Sequence, residues 1–421
     1  MDSYKVLIDS VHYDCIPNLI CCARFYRYLI NNDHKVVKKP TEADFIIINS
    51  CGFSKQLQNK TIAVYQKYKN IKREETKIII YGCVIKINPN LFANLPVIKI
   101  GLDEDNKIDT IFLKNIKFEN IEPYCKKITK DKLFKDKKEF SHWYKTPFLL
   151  TKIFIPFSKK LKFNYKKMME AVTYINSNFI EISKGCTGNC SYCLIKKAKG
   201  EISSRSIQDI ISNIKDIYDP SKPLFLAADD CASYGIDKNI NFVDLFYKIN
   251  KEFPDLELEL NYLSPQLLEK HYTEYVKLFN SRKINLVILP IQSGSQKIVN
   301  KMNRRYNVEK LLEKINYIKK ISPNTTLYAH FMIGFPGESI IDFIKTLSAI
   351  KYFDYPAAFI YSNEKGTSSY SMPNQISKHV VILRFLIFLF FVNFVILYRL
   401  NHYSKTIKSK KNNLGDISND E

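Results

Sequence analysis

The stretch Glu181 to Gly200, EISKGCTGNCSYCLIKKAKG, holds Cys186, Cys190 and Cys193 with three and two residues between them. Glycine and small polar residues fill the gaps. Few folds accommodate such a loop. Disulfide frameworks belong to short secreted chains. This chain has 421 residues, and its start, MDSYKVLIDS, has no apolar stretch behind a charged one as a secretory leader would. Structural zinc takes four ligands in paired C-x-x-C knuckles, and only three cysteines gather here. Three close thiolates suit a [4Fe–4S] cluster that leaves one iron open.

The loop follows a strand candidate, FIEIS (179–183), that opens a regular rhythm. Further apolar runs stand at 223–229, 256–262, 284–292, 325–335 and 355–362, with Lys- and Ile-rich helical segments between them. Six such units imply a parallel, partial (β/α)6 barrel, whose chemistry belongs just past the strand ends. There the sequence places the cysteine loop, DDCASYG, QSGS (292–295) and GFPGE (334–338). Together they describe a pocket for a nucleotide-like cofactor beside the cluster.

An earlier α/β unit occupies the first 115 residues. YKVLID, FIIIN and KIIIY read as parallel strands with helical segments between. Cys51 and Cys83 directly follow two of them, and Cys15 lies six residues past the first. Strand ends of one parallel sheet share a rim, so these three thiols are expected to converge on a second cluster. Cys21, Cys22, Cys125 and Cys231 show no matching placement and read as structural. Residues 116–170 form a basic, aromatic linker, and 171–378 carry the barrel.

Residues 379–421 combine a hydrophobic helix with a basic, disordered end. Val380 to Leu400 is interrupted only by Arg384, Asn393 and Arg399. Both flanks are basic, which opposes a simple crossing. An interfacial helix on a membrane is the expectation, with Arg384 snorkelling to the surface; a buried helix closing the barrel is the alternative. The chain carries 64 Lys+Arg against 42 Asp+Glu, a net charge of +22. That surplus favours a polyanion such as RNA, or an anionic membrane.

The three-cysteine loop after the first barrel strand resembles the radical S-adenosylmethionine superfamily. LPIQSGSQKIVNKMNRRYNVEKLLEKI (289–315), GFPGES behind it, and the amino-terminal DCIPN, NSCGF and YGCVIK resemble its methylthiotransferases. The resemblance implies that Cys186, Cys190 and Cys193 hold the radical [4Fe–4S] cluster, whose open iron binds S-adenosylmethionine. Cys15, Cys51 and Cys83 would hold an auxiliary [4Fe–4S] cluster. Tyr192 would lie against the adenine, Arg205 would face the methionine carboxylate, and Gln292, Ser293, Gly334, Pro336 and Gly337 would line the cofactor site. An electron donor such as flavodoxin or ferredoxin would reduce the cluster, in the cytoplasm. The chain departs from the family at Lys196 (usually Pro), Lys199–Gly200 (usually Arg-Gly) and His330 (usually acidic), and shows no closing TRAM-type β-barrel. The expected function is methylthio insertion into a tRNA adenosine. MNRRY supports the tRNA branch, whereas NSCGF is closer to the branch that modifies an aspartate of a ribosomal protein. A non-catalytic, metal-stabilised RNA- or membrane-binding relative is the reading from another class.

Overall fold

The computed structural model describes residues 3–13, 15–134, 177–392 and 394–395. Most of the basic linker, including HWYKTPFLLTKIFIPFSKKLKF, and the tail from 396 onward lie outside the described residues.

Five parallel strands form the amino-terminal sheet: β1 (Lys5–Ser10), β2 (Lys35–Val36), β3 (Phe45–Ser50), β4 (Lys77–Gly82) and β5 (Ile98–Ile100), in the order β2-β1-β3-β4-β5. Every residue of the central strand β3 is buried. That is why FIIINS reads as an unbroken apolar run rather than an alternating one. Helix α1 (Ile16–Asn31) starts at Cys15, with Pro17 in its first turn, where a missing N–H costs nothing. Helix α2 (Lys55–Ile71) is capped by Ser54, whose hydroxyl accepts the Leu57 N–H. Helix α3 (Cys83–Ile87) begins directly after β4.

The second sheet has seven strands. Six are parallel: β7 (Asn178–Glu181), β10 (Leu224–Ala227), β11 (Leu258–Leu260), β12 (Ile284–Gln292), β13 (Thr326–Ile333) and β14 (Tyr355–Ile360). They match the six expected strands, and β12 spans the expected 284–292. The seventh, β6 (Tyr124–Cys125), pairs antiparallel with β7. It comes from within the segment read as linker, so part of that linker belongs to this sheet. A two-stranded ribbon, β8 (Ser183–Lys184) with β9 (Ser203–Ser204), brackets the cysteine loop.

One face of this sheet packs on its crossover helices. On the other, Phe179, Phe225, Leu286, Ile288 and Tyr328 meet Ile16, Leu19, Ile20 and Ala23 of α1. The amino-terminal unit thus lays the helix that starts at Cys15 against the inner face of the barrel strands.

A helix over 378–392 follows β14, and 394–395 are helical as well. Phe388 and Val392 enter the main core, and Val381 covers Gly334. A Cβ at Gly334 would sit 2.5 Å from the Val381 side chain, so only glycine admits the helix there. Arg384 does not snorkel. Its Nη1 donates to the Glu338 carboxylate and backbone carbonyl, each at 2.9 Å. Among the described residues no helix is long and apolar enough to cross a membrane. The segment expected to lie on a membrane packs one face on the barrel and leaves Leu383, Leu386, Phe390 and Phe394 exposed.

Candidate cluster and cofactor site

The cysteine loop leaves β8 at Gly185, whose φ is +77°. A Cβ there would strike the Glu201 carbonyl at 2.1 Å, so the close return of the loop onto β9 requires glycine. Each thiol receives one N–H donor. Gly188 N–H donates to Cys186 Sγ (3.2 Å), Ile195 N–H to Cys193 Sγ (3.4 Å) and Arg304 Nη1 to Cys190 Sγ (3.8 Å). Burial pushes the Cys186 and Cys193 thiols up to about 12, so they ionise only when a metal takes the proton's place. The donors then stabilise the sulfur charge.

Arg304, from the MNRRY segment, is 8% exposed. It also donates to Tyr192 Oη at 3.0 Å, and its Nε has no partner among the described residues. Burial alone would lower its pKa, but Tyr192 and Cys190 more than reverse this, and it stays charged. Tyr192 packs with Ile298, Met302, Met332 and Phe335, an apolar bed beside the loop suited to a flat ring and a thioether carbon chain.

The other expected cofactor residues divide. Gln292 ends β12 with φ +72°. Ser293 is fully buried and bonded to Thr346 (3.1 Å), which fixes the loop from inside. Pro336 is buried. Gly337 N–H donates to the Asn374 carbonyl, and Gly334 N–H to Glu338. Arg205 has its fork engaged by the Glu181 carbonyl, Glu122 and Asn213 at 2.6–3.0 Å. It ties β6, β7 and the following helix together instead of presenting a free guanidinium.

In the amino-terminal unit, Cys15 caps α1, Cys51 follows β3 and Cys83 opens α3. Burial raises all three thiols, Cys15 to about 11, while Lys199 pulls each the other way. Lys199 was visible in the sequence only as a departure from an arginine. Of the four cysteines expected to be structural, Cys22, Cys125 and Cys231 are buried among apolar neighbours, whereas Cys21 is half-buried at the edge of the amino-terminal core.

Among the described residues, no three His, Cys, Asp or Glu side chains converge on one point as a single metal ion requires. A four-iron cluster asks for something else, since each cysteine binds a different iron. Three thiols per site, each trio facing N–H donors or a cation, fit that group.

His330 faces Tyr262, Tyr328 and Phe359, with ring centroids 4.7–5.5 Å away. Burial pushes it down to about 3, so it stays neutral. Deeper in the sheet, Glu259 accepts from the Ser177 hydroxyl (2.6 Å), and burial raises it to about 7. The folded chain therefore holds this proton where the unfolded chain has lost it, and stability falls as pH rises between about 4.5 and 7. Glu259→Gln is expected to remove that slope and to gain roughly 3 kcal/mol above pH 7, as read by denaturant unfolding across pH.

Residues 180–350 match the Radical SAM superfamily, and residues 8–101 match uncharacterized protein family UPF0004. The chain is 27% identical over 386 residues to the ribosomal protein uS12 methylthiotransferase RimO of Thermoanaerobacter sp. (strain X514), covering 90% of this chain and 81% of that protein. It is 28% identical over 360 residues to the tRNA-2-methylthio-N(6)-dimethylallyladenosine synthase of Lawsonia intracellularis (strain PHE/MN1-00), covering 82% and 73%. Among solved structures the fold resembles the radical S-adenosylmethionine methyltransferase TsrM from Kitasatospora setae, with a TM-score of 0.52 at 10% identity over 85% of this chain and 72% of that one. Two cysteine-bearing units in this order, and relatives of one chemistry matched along most of their length, are what this chain shares with the radical S-adenosylmethionine methylthiotransferases.

Proposed function

We propose that this enzyme inserts a methylthio group into an adenosine of tRNA, in the cytoplasm, with one [4Fe–4S] cluster on Cys186, Cys190 and Cys193 and a second on Cys15, Cys51 and Cys83. The observation that carries the choice of substrate is Phe53. Its ring is 45% exposed, two residues past Cys51 and two before the exposed Lys55. An exposed aromatic ring near a lysine and next to a cluster cysteine is what a nucleobase stacks on while its phosphates find cations. The net charge of +22 suits the phosphates of a polyanion.

When bound, the radical cluster and S-adenosylmethionine supply hydrogen abstraction from an unreactive C–H bond, and the second cluster supplies sulfur. The chain's own residues do the rest. Tyr192 and its apolar bed hold the adenine end and exclude water. Arg304 locks Tyr192 to the cysteine loop. A flavodoxin- or ferredoxin-type donor brings the electron.

The second reading is methylthiolation of an aspartate in a ribosomal protein, favoured by the uS12-modifying relatives. Mass spectrometry of tRNA nucleosides and of ribosomal proteins, from cells with and without the gene, separates the two. A 2-methylthioadenosine lost with the gene is the expected result. Its persistence beside loss of a methylthio-aspartate would establish the second reading.

A further inference from the structure

The two cysteine trios meet through a pair of short helices. One is α3, which begins at Cys83; the other, Ile195–Lys199, starts two residues after Cys193. Ile87 of the first packs with Ala198 of the second and with Leu194 just before it, beside Cys83. Lys197 Nζ donates to the Ile87 carbonyl at 3.0 Å. At the end of the second helix, Lys199 lines a cavity of about 90 Å³ together with Cys83, Cys21 and Asn18. Its side chain is 11% exposed, and its Nζ donates to Asp229 Oδ1 at 2.7 Å. The other oxygen of Asp229 accepts the Gly185 N–H at 2.9 Å, one residue before Cys186. A single buried ion pair therefore reaches toward both trios.

Burying a lysine is costly unless anions surround it. Burial lowers the pKa of Lys199, but Asp229, Cys83 and Cys15 more than reverse this and raise it. Lys199 in turn favours the charged form of Cys15, Cys51 and Cys83. Asp229 acts the opposite way on Cys15 and Cys83, and on Cys193 as well. The shared cavity sets the cation beside Cys83, and the Gly185 N–H ties the carboxylate to the start of the radical loop.

We propose that Lys199 is the counter-cation of the auxiliary cluster, delivered by the helix that follows the radical loop, and that the Lys199–Asp229 pair sets that cluster's reduction potential. The proposal rests on the two-cluster reading above. Reduction adds negative charge to a cluster, so a nearby buried cation stabilises the reduced form and raises the potential. The auxiliary site is then electrostatically complete only when the two units are docked, and Lys199 is a positioning residue rather than a catalytic one.

Potentiometric titration of the reconstituted full chain, followed by electron paramagnetic resonance, tests this with each cluster read separately. Lys199→Met is expected to shift the reduction equilibrium of the auxiliary cluster about tenfold toward the oxidised form, about 59 mV for a one-electron couple, and to leave the radical cluster in place. Asp229→Asn is expected to shift it the opposite way and to move both clusters. The double variant returns toward the unmodified value, and Lys199→Arg, which keeps the charge, retains it. Should the methionine variant not fold, Asp229→Asn supplies the decisive shift and Lys199→Arg the unshifted control. About eight irons per chain with an unmoved auxiliary potential in both single variants would overturn the proposal alone. About four irons in the unmodified chain would overturn the two-cluster reading, and the proposal with it.

Discussion

Replacing Cys186 with alanine is expected to abolish cleavage of S-adenosylmethionine by the reduced, anaerobically reconstituted chain. The unmodified chain should release 5′-deoxyadenosine slowly even without substrate. The expected loss is total because Cys186, Cys190 and Cys193 would together hold the cluster and leave one iron for the cofactor, and two thiolates would not hold it. Each sulfur here has its own N–H donor, from Gly188, Ile195 or Arg304. Iron content gives the companion result. The unmodified chain should load about eight irons, and the triple alanine variant at Cys15, Cys51 and Cys83 about four, with the radical cluster intact. Normal cleavage by Cys186→Ala would sink the radical assignment. Undiminished iron in the amino-terminal triple variant would sink the auxiliary one.

The cysteines were legible in the sequence because their positions follow from strand ends. A parallel sheet places all its carboxyl ends on one rim, and FIIINS–Cys51, KIIIYG–Cys83 and FIEIS with its loop announce theirs. The strand β12 was legible to the residue, because INLVILPIQ is apolar between polar helices. What supports the cysteines was not legible. Arg304 sits 114 residues from Cys190 and Lys199 is 30 residues from Asp229. Their identities drew notice, one within MNRRY and the other as a lysine where the family has arginine, but only packing aims them. Arg205 shows the converse. The sequence offered a free fork, and β6, arising inside the supposed linker, brought Glu122 close enough to occupy it. A two-residue edge strand in a basic stretch has no periodicity to reveal it.

The tail was ambiguous for a physical reason. An apolar run reads the same whether a core or a lipid receives it, and the arbiter is a contact made 46 residues away. Glu338 is 0% exposed at its side chain and Arg384 only 11%. Burial raises the Glu338 carboxyl despite the Gly334 N–H and Arg384 that oppose this, and its Oε1 has no partner among the described residues. Arg384→Met would leave that carboxylate buried with one backbone donor, and breaking a buried pair from one side costs about 3–5 kcal/mol. Denaturant unfolding is expected to show a loss of that size. Arg384→Met combined with Glu338→Gln should recover much of it, because no charge is then stranded. A chain ending at Gln375 should be destabilised as well, since Phe388 and Val392 leave the core. If the helix instead served only to rest on a membrane, Arg384→Met would leave the unfolding midpoint of the detergent-free protein unchanged. That outcome would reverse the assignment of this helix to the barrel.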